Sequence, residues 1–282
     1  MRLKTMFITN DEYIAQIAEE NSVEIIFIDI ETRGKNIRQA NMDTVKSKHS
    51  INDVSIMKKV LSSSKLLVRI NPLYEGTKDE IDEVIWRGAD IIMLPMFNSA
   101  LDVESFVKMV NGRANTMLLV ETIEAEKNIS RIVNVSGVDG IHIGLNDLHL
   151  AYNKKFMYEL LAEGCVEKIC RIADKSKLPY GFGGIARLYE GALPAKNIIM
   201  EHYRLGSSQV ILSRSFCDTN CINDYDAIKK IFISGMKEIR DFEKELGNYP
   251  EIEFEANRKY VVGKVNEITM QINKYDKSMQ TA

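Results

Sequence analysis

Two short apolar runs, each followed by an acid, stand out between Thr116 and Leu150, which read TMLLVETIEAEKNISRIVNVSGVDGIHIGLNDLHL. Glu121 closes the first run, and Asp147 comes just after the second, which ends at Asn146. Each run has the length of a buried parallel strand, and the segment between them has the pattern of a short helix. Both strands of such a β-α-β unit are parallel, so we expect the two acids to emerge at the same face of a sheet.

Two carboxylates that converge at the ends of parallel strands suit a hard divalent cation. Mg²⁺ or Mn²⁺ binds one or two carboxylates and keeps its other positions for water or a chelating substrate. In the structural alternative, Glu121 pairs with a lysine and Asp147 caps a helix. We therefore treat Glu121 and Asp147 as candidate metal ligands and leave that alternative open.

The composition is that of an ordinary globular protein with one sizeable core. The 282 residues are 45% hydrophobic and 27% charged, and the net charge is −3. No long basic run indicates a nucleic-acid partner. No segment reaches the length of a membrane span, and the first residues lack the pattern of a signal peptide, so we expect a cytoplasmic protein without a membrane partner. The four cysteines lack the spacing of a zinc site.

Short apolar runs alternate with amphipathic segments along the chain. Eight βα units can be counted, which predicts an α/β fold, the (β/α)8 TIM barrel, with an extra C-terminal helix. We expect the barrel domain over residues 1–247 and a helical extension over 248–282. The extension carries an apolar stripe that must pack either on its own barrel or on another subunit. The stripe consists of Val261, Val265, Ile268 and Ile272.

Several motifs occur in an order that is more specific than any one of them. They are IDIE at 28–31, VR at 68–69, GADIIMLP at 88–95, ET at 121–122 and VDGIHIGLNDL at 138–148. Together they resemble the HpcH/HpaI aldolase/citrate lyase family over roughly the first 215 residues. The resemblance implies a barrel that binds Mg²⁺ or Mn²⁺ through Glu121 and Asp147. It also implies that Arg69 binds the oxo-acid group of the substrate, and that the barrels assemble into a homo-oligomer.

The implied activity is that of a carbon-carbon lyase of the class II aldolase type. Such an enzyme forms or cleaves a 2-oxo acid, with a pyruvate-like molecule and an aldehyde as partners, through a metal-stabilised pyruvate enolate. The residue types suit this chemistry, because a divalent cation and a permanently protonated arginine both stabilise the charge of an enolate. In the alternative reading, Arg69 makes a salt bridge to Asp29 or Glu31 at the barrel mouth.

The chain departs from the family at three positions. Thr32 stands where many aldolases of the family have a histidine, Leu119 where many have a glutamine, and Met96 where the citrate lyase-like branch has a lysine. Two other functions therefore stay open. One is an acyl-CoA thioester lyase of the citrate lyase-like branch, and the other is a non-catalytic descendant that binds an oxo acid.

The identity of the catalytic base is open for the same reason. His149 is the first candidate because it lies two residues after Asp147, although its side chain has the alternative of pointing to solvent. His49, in the long loop from Arg33 to Ser50, is the second, and Glu31 is a further catalytic candidate. We interpret the remaining two histidines as structural, with His142 in the core and His202 as a surface or capping group.

A glycine-rich segment, Gly181-Phe182-Gly183-Gly184, is predicted to follow the seventh strand. Its backbone N–H groups suit an anion, and barrels often bind phosphate there, but a tight turn explains the glycines equally well. Nearby arginines would add positive charge or be ordinary surface residues; these are Arg187, Arg204 and Arg214. The substrate-binding candidates are Arg69, Asn146, Gly183 and Gly184.

Overall fold

The computed structural model describes residues 2–34 and 49–280, and its central feature is a closed barrel of eight parallel strands. Each strand pairs with the next one along the chain, and the eighth pairs with the first. This confirms the predicted TIM barrel. The strands are β1 (Lys4–Ile8), β2 (Ile25–Asp29), β3 (Lys65–Arg69), β4 (Ile91–Leu94), β5 (Asn115–Val120), β6 (Gly140–Ile143), β7 (Tyr180–Ile185) and β8 (Gln209–Leu212).

Helices connect the strands on the outside of the barrel. Those of the described residues are α1 (Glu12–Glu20), α2 (Ile51–Val60), α3 (Thr77–Trp86), α4 (Ala100–Val110), α5 (Ile123–Lys127), α6 (Ile129–Ile132), α7 (Leu145–Ala151), α8 (Glu159–Ala162), α9 (Cys165–Lys175), α10 (Ala195–Arg204), α11 (Tyr225–Leu246) and α12 (Glu251–Gln280). Most of the long loop predicted from Arg33 to Ser50 lies outside the described residues.

The strands bury both faces, which explains why they are almost continuously apolar. Alternate side chains fill the inside of the barrel, where Met6, Phe27, Leu67, Met93 and Leu119 belong to one cluster of buried residues. The side chains between them face outward and pack against the helices in a larger cluster. The inner cluster forms a solid floor, so a ligand must bind at the carboxyl ends of the strands.

Local signals explain where several helices begin and end. Ser99 and Asp102 form a capping box at the start of α4, which ends at Asn111 with a left-handed φ of 52°. The spacing of Thr77 and Glu80 in the sequence predicts a capping box at the start of α3, but this prediction is wrong, because Gly76 is the N-cap residue. The carboxylate of Glu80 instead accepts a hydrogen bond from Asn71.

Three other local predictions differ from the structure. The sequence pattern predicts one longer helix from Phe156 to Lys175, but this helix is broken, because Gly164 adopts a φ of 88° and separates α8 from α9. The segment after β5 forms two short helices, α5 and α6, rather than one. The glycine-rich segment Gly181–Gly184 lies inside β7 instead of following it.

The apolar stripe of α12 packs on its own barrel. Val261, Val265 and Ile268 are buried, and α12 contacts α10 and α8. Of the two alternatives left open for the stripe, the structure therefore favours the intramolecular one. The stripe no longer gives a reason to expect a subunit interface.

Within residues 2–34 and 49–280, none of the helices has both the length and the apolar character that a membrane crossing requires.

Candidate active site

An ion pair between β2 and β3 occupies the mouth of the barrel. Asp29 and Arg69 end their strands at paired register positions, so their side chains emerge side by side. The Arg69 Nε and Nη2 atoms donate to the two carboxylate oxygens of Asp29 over 2.9 and 2.8 Å. Glu31 Oε2 lies 3.5 Å from the same Nε atom. Arg69 therefore makes the salt bridge that the alternative interpretation expected. This salt bridge does not exclude that Arg69 also binds a substrate.

The charge of Arg69 is permanent and its orientation is fixed. Burial alone would lower its pKa, but the charges of Asp29, Glu31 and Glu121 raise the pKa above its ordinary value. The guanidinium also lies 5.6 Å above the ring of Phe27, which belongs to the floor of the barrel. Within the part of the chain that the structure describes, Nη1 makes no hydrogen bond, so this edge of the guanidinium is available to a ligand.

Glu121 lies at the end of β5 and is only 3% exposed. Burial raises the pKa of its carboxyl group to about 8. The positive charge of Arg69 opposes this rise, and the negative charges of Asp147 and Glu31 add smaller contributions to it. Among residues 2–34 and 49–280, no lysine pairs with this carboxylate. Its Oε1 atom accepts a hydrogen bond of 3.1 Å from the backbone N–H of Met96.

Two neighbours of Glu121 were not identified from the sequence. Met96 has a left-handed φ of 54°, which is unusual for a residue with a side chain, and its N–H holds the carboxylate. A Cβ atom at Gly144 would lie 3.0 Å from Glu121 Oε2, so a larger residue there would force the carboxylate to shift by a few tenths of an ångström. The signal in the sequence is the pair Pro95-Met96 after β4 and the single glycine after β6.

Asp147 lies in the first turn of α7, directly after β6, with Asn146 beside it. It is not the N-cap residue of this helix, which is Gly144. The negative charge of Asp147 raises the pKa of Glu121, so the two acids lie near enough to interact electrostatically. In the described residues, no group of three or more His, Cys, Asp or Glu side chains is arranged to hold a metal ion.

The pair of Glu121 and Asp147 nevertheless fits a magnesium-like ion. Burial makes the ionised form of Glu121 costly, and the negative charge of Asp147 adds a smaller contribution to the raised pKa. A divalent cation removes that cost, and Mg²⁺ characteristically binds one or two carboxylates and completes its shell with water and substrate.

The two histidines that are candidates for the catalytic base have different surroundings. His149 is 6% exposed, and its Nδ1 atom lies 3.1 Å from the carbonyl oxygen of Leu145 in the same helix. Its side chain therefore does not point to solvent. His49 lies against the end of β2, where its Nδ1 atom accepts a hydrogen bond of 3.0 Å from the N–H of Asp29.

The other two histidines are buried. His142 faces the barrel interior, and its Nε2 atom lies 3.0 Å from the carbonyl oxygen of Gly183, which confirms it as a core residue. Burial lowers its pKa to about 4. The interpretation of His202 as a surface group is wrong, because it is fully buried, stacks on Phe182 at 3.7 Å and lies 2.7 Å from Ser207 Oγ.

The carbonyl oxygens of the glycine-rich segment are engaged within the protein. Gly183 O faces His142, and the hydroxyl of Tyr158 donates to Gly184 O over 2.6 Å. Gly183 has a φ of 54°, and a Cβ atom there would lie 2.9 Å from the side chain of Leu145. The backbone conformation and close packing account for this glycine.

Two of the three arginines that were considered for anion binding, Arg187 and Arg204, are paired with acids. Arg204 donates to Glu201 and Glu167 on the outside of the barrel. Arg187 pairs with Glu190 beside a cavity of about 280 Å³ that Arg214 and Asp218 also line. The acid contributed by Asp218 and the paired state of Arg187 both weaken the case for an anion site there.

Comparisons with known proteins agree with the observed fold. The family model of HpcH/HpaI aldolase/citrate lyase matches residues 6–173. A family protein from Burkholderia cenocepacia J2315 has a similar structure, with 12% identity over 82% of this chain and 95% of that one and a TM-score of 0.61. An HpcH/HpaI aldolase from Desulfitobacterium hafniense DCB-2 gives 19% identity over 85% and 93% of the two chains, with a TM-score of 0.58.

A third similar structure is the citrate synthase SbnG, with 15% identity over 75% of this chain and 85% of that one and a TM-score of 0.56. No curated protein sequence matches the chain. At these identities the structural likeness establishes the fold alone, whereas the family model covers more than half of the 282 residues. The chain therefore belongs to the HpcH/HpaI aldolase/citrate lyase family, whose members are typically lyases.

Proposed function

We propose that this protein is a divalent-metal-dependent carbon-carbon lyase that forms or cleaves a 2-oxo acid, with pyruvate or a close analogue as the enolised partner. The observation that carries the proposal is the position of Arg69. Its guanidinium is fixed by Asp29 and lies close enough to Glu121 for the two charges to shift each other's pKa. The cationic Arg69 thus lies near Glu121, which in turn interacts with Asp147, and carboxylates of this kind bind divalent metals.

Glu121 and Asp147 are the residues that would hold Mg²⁺ or Mn²⁺. When bound, the ion would act as a Lewis acid toward the carboxylate and keto oxygens of the oxo acid. The Met96 N–H orients one oxygen of Glu121, which prepares the carboxylate before any ligand arrives. Gly144 keeps the space next to the other oxygen open.

Arg69 would stabilise the oxygen on which negative charge develops. Two of its nitrogens are held by Asp29, so the remaining edge, Nη1, is the one we assign to the substrate. The fixed orientation matters because a preorganised donor pays no reorganisation cost when the charge appears. Asn146, next to Asp147, and the Gly183-Gly184 segment remain candidate substrate contacts.

Glu31 is the proton acceptor that we favour. Its carboxylate lies 3.5 Å from Arg69 Nε and is 3% exposed, so it lies beside the guanidinium that we assign to the substrate and is shielded from water. His149 is the second candidate. The 3.1 Å contact of its Nδ1 atom with Leu145 O commits one ring nitrogen to its own helix.

Exchange of the pyruvate methyl hydrogens in deuterated buffer tests the proposal. Proton NMR with Mg²⁺ should show loss of the methyl signal catalysed by the wild-type protein, without an aldehyde. Arg69→Lys should slow exchange by at least about tenfold, because lysine lacks the planar fork. Arg240→Lys is the matched control, since Arg240 is similarly enclosed and ion-paired at the opposite end of the barrel.

The outcome also separates the remaining functions. Exchange that survives His149→Ala and is lost in Glu31→Gln assigns the base to Glu31, and the reverse pattern assigns it to His149. Bound pyruvate without exchange above the metal-only control would contradict the aldolase proposal and favour the thioester lyase or the binding protein. Homo-oligomerisation and a cytoplasmic location stay part of the proposal, supported by the family alone.

A further inference from the structure

One buried asparagine connects the segment after β2 to the segment after β3. Asn71 is 7% exposed, and its Oδ1 atom accepts hydrogen bonds from the N–H groups of Thr32 and Arg33 over 2.9 and 3.0 Å. The Thr32 hydroxyl lies 3.3 Å from the same oxygen. On its other side, Asn71 Nδ2 donates to Glu80 Oε1 on α3 over 2.6 Å.

These bonds hold the backbone immediately after Glu31. The N–H group of Thr32 belongs to the peptide that begins at the carbonyl of Glu31, so its direction fixes the conformation of Glu31 itself. On the other side, the Glu31 N–H donates to Asp29 Oδ1 over 3.2 Å. Both peptides that flank Glu31 are therefore fixed, one by the acid that clamps Arg69 and one by Asn71.

A second contact joins the same two segments without touching these peptides. The guanidinium of Arg33 lies 3.8 Å from the centre of the Tyr74 ring, which is within the range of a cation–π interaction. This contact gives a natural control, because its removal loosens the connection between the segments and leaves the bonds of Asn71 in place.

We propose that Asn71 is a positioning residue that holds the carboxylate of Glu31 in place beside the guanidinium of Arg69. The inference rests on the proposed function, in which Glu31 accepts the proton. Asn71 itself touches neither Arg69 nor the candidate metal ligands in any recorded hydrogen bond, and it acts through the peptide that follows Glu31.

The test compares Asn71→Ala with Tyr74→Leu in the pyruvate exchange assay. Asn71→Ala should lower kcat for exchange by about 10- to 100-fold, as expected for a misplaced catalytic group, and change KM for pyruvate less than threefold. Tyr74→Leu should keep kcat within about twofold of the wild type. Urea unfolding of both variants shows whether the loss of rate follows the loss of stability.

A double variant exchanges donor and acceptor in the hydrogen bond between residues 71 and 80 and keeps the two bonds from the backbone of Thr32 and Arg33. In Asn71→Asp/Glu80→Gln, the aspartate still accepts from Thr32 and Arg33, and the glutamine donates the bond that Asn71 used to give. Burial raises the pKa of Glu80, so a neutral side chain suits that position. We expect kcat to recover to within about fivefold of the wild type, whereas Asn71→Asp alone should stay slow.

The possible failures are distinguishable. No exchange in the wild-type protein defeats the proposed function itself. Exchange in the wild type that is unchanged in Asn71→Ala overturns the positioning role only. An equal fall in Tyr74→Leu, or no recovery in the folded double variant, also overturns it, because each would show that the rate follows the general order of the two segments.

Discussion

Arg69 and Asp29 form a two-bond ion pair at paired positions of neighbouring strands, with nitrogen–oxygen distances of 2.9 and 2.8 Å. This pairing commits Nε and Nη2 of the guanidinium to the protein, whereas Nη1 makes no hydrogen bond within the described residues. The same arrangement is therefore a structural salt bridge and a preorganised binding group. A bidentate arginine–carboxylate pair has a defined geometry, which a lysine in place of Arg69 would not reproduce.

We predict that Asp29→Asn destabilises the protein and impairs enolisation. The variant leaves the buried Arg69 charge with a weaker partner, which should lower the free energy of unfolding by about 2–4 kcal/mol. Exchange of pyruvate hydrogens should fall by at least about tenfold. Urea titration and NMR measure the two effects.

Asp82→Asn is the control for this prediction, because Asp82 pairs with Lys78 and Arg113 on the surface. Its loss should lower the free energy of unfolding much less than Asp29→Asn does, because solvent screens exposed ion pairs. An Asp29→Asn protein as stable as the Asp82→Asn protein would contradict the importance of the clamp.

We predict that Mn²⁺ binds to Glu121 and Asp147. Glu121→Gln and Asp147→Asn should each weaken binding by at least about tenfold in calorimetric titrations, since each removes a charged ligand. Glu126→Gln is the matched control, because Glu126 is 5% exposed and lies five residues further along, where it pairs with Lys168 outside the mouth. Wild-type affinity in both ligand variants would rule out this site.

We predict that Gly144→Ala weakens metal binding without unfolding the protein. Gly144 has a φ of −80°, which alanine tolerates, so the effect should come from contact of the new Cβ with Glu121. Displacement of a supporting group typically lowers metal affinity by about 10- to 100-fold. Gly263→Ala, on α12 with nothing within 4 Å, should keep full affinity and add up to about 1 kcal/mol of stability. Equal affinities in the two variants would refute the crowding argument.

We predict that the protein loses stability in mild acid through His142. Its folded pKa of about 4 lies below the unfolded value of 6.5, so the neutral imidazole stabilises the fold at neutral pH. This contribution is lost as the pH falls from about 6.5 toward 4. The loss of unfolding free energy between pH 7 and pH 5 is about 2 kcal/mol. His202, whose pKa burial also lowers, should act in the same direction.

Urea titrations at pH 7 and pH 5 measure this effect. His142→Gln keeps a side-chain donor for Gly183 and should reduce the difference in stability between the two pH values. A difference that is as large in His142→Gln and His202→Gln as in the wild type would assign the acid sensitivity to carboxylates instead.

Much of the barrel follows from local patterns. Runs such as Ile91–Leu94 are too short and too apolar for anything but buried strands, and their alternation with helical segments specifies the connectivity of the βα units. The positions of Glu121 and Asp147 at strand ends follow from the same pattern. The break at Gly164 was missed, because a glycine inside an amphipathic pattern is tolerated in some helices and ends others.

The sequence by itself determined the barrel, the family and the residue types gathered at the carboxyl ends of the strands, because strand period and motif order are local properties. Only the tertiary structure decided which side chains meet. In the fold, Arg69 pairs with Asp29, and His202 is buried against Phe182. The apolar stripe of α12 packs on the barrel, and Asn71 binds the peptide that follows Glu31. These contacts link segments far apart in the chain, and their geometry depends on strand register and burial, which no short stretch of residues specifies alone.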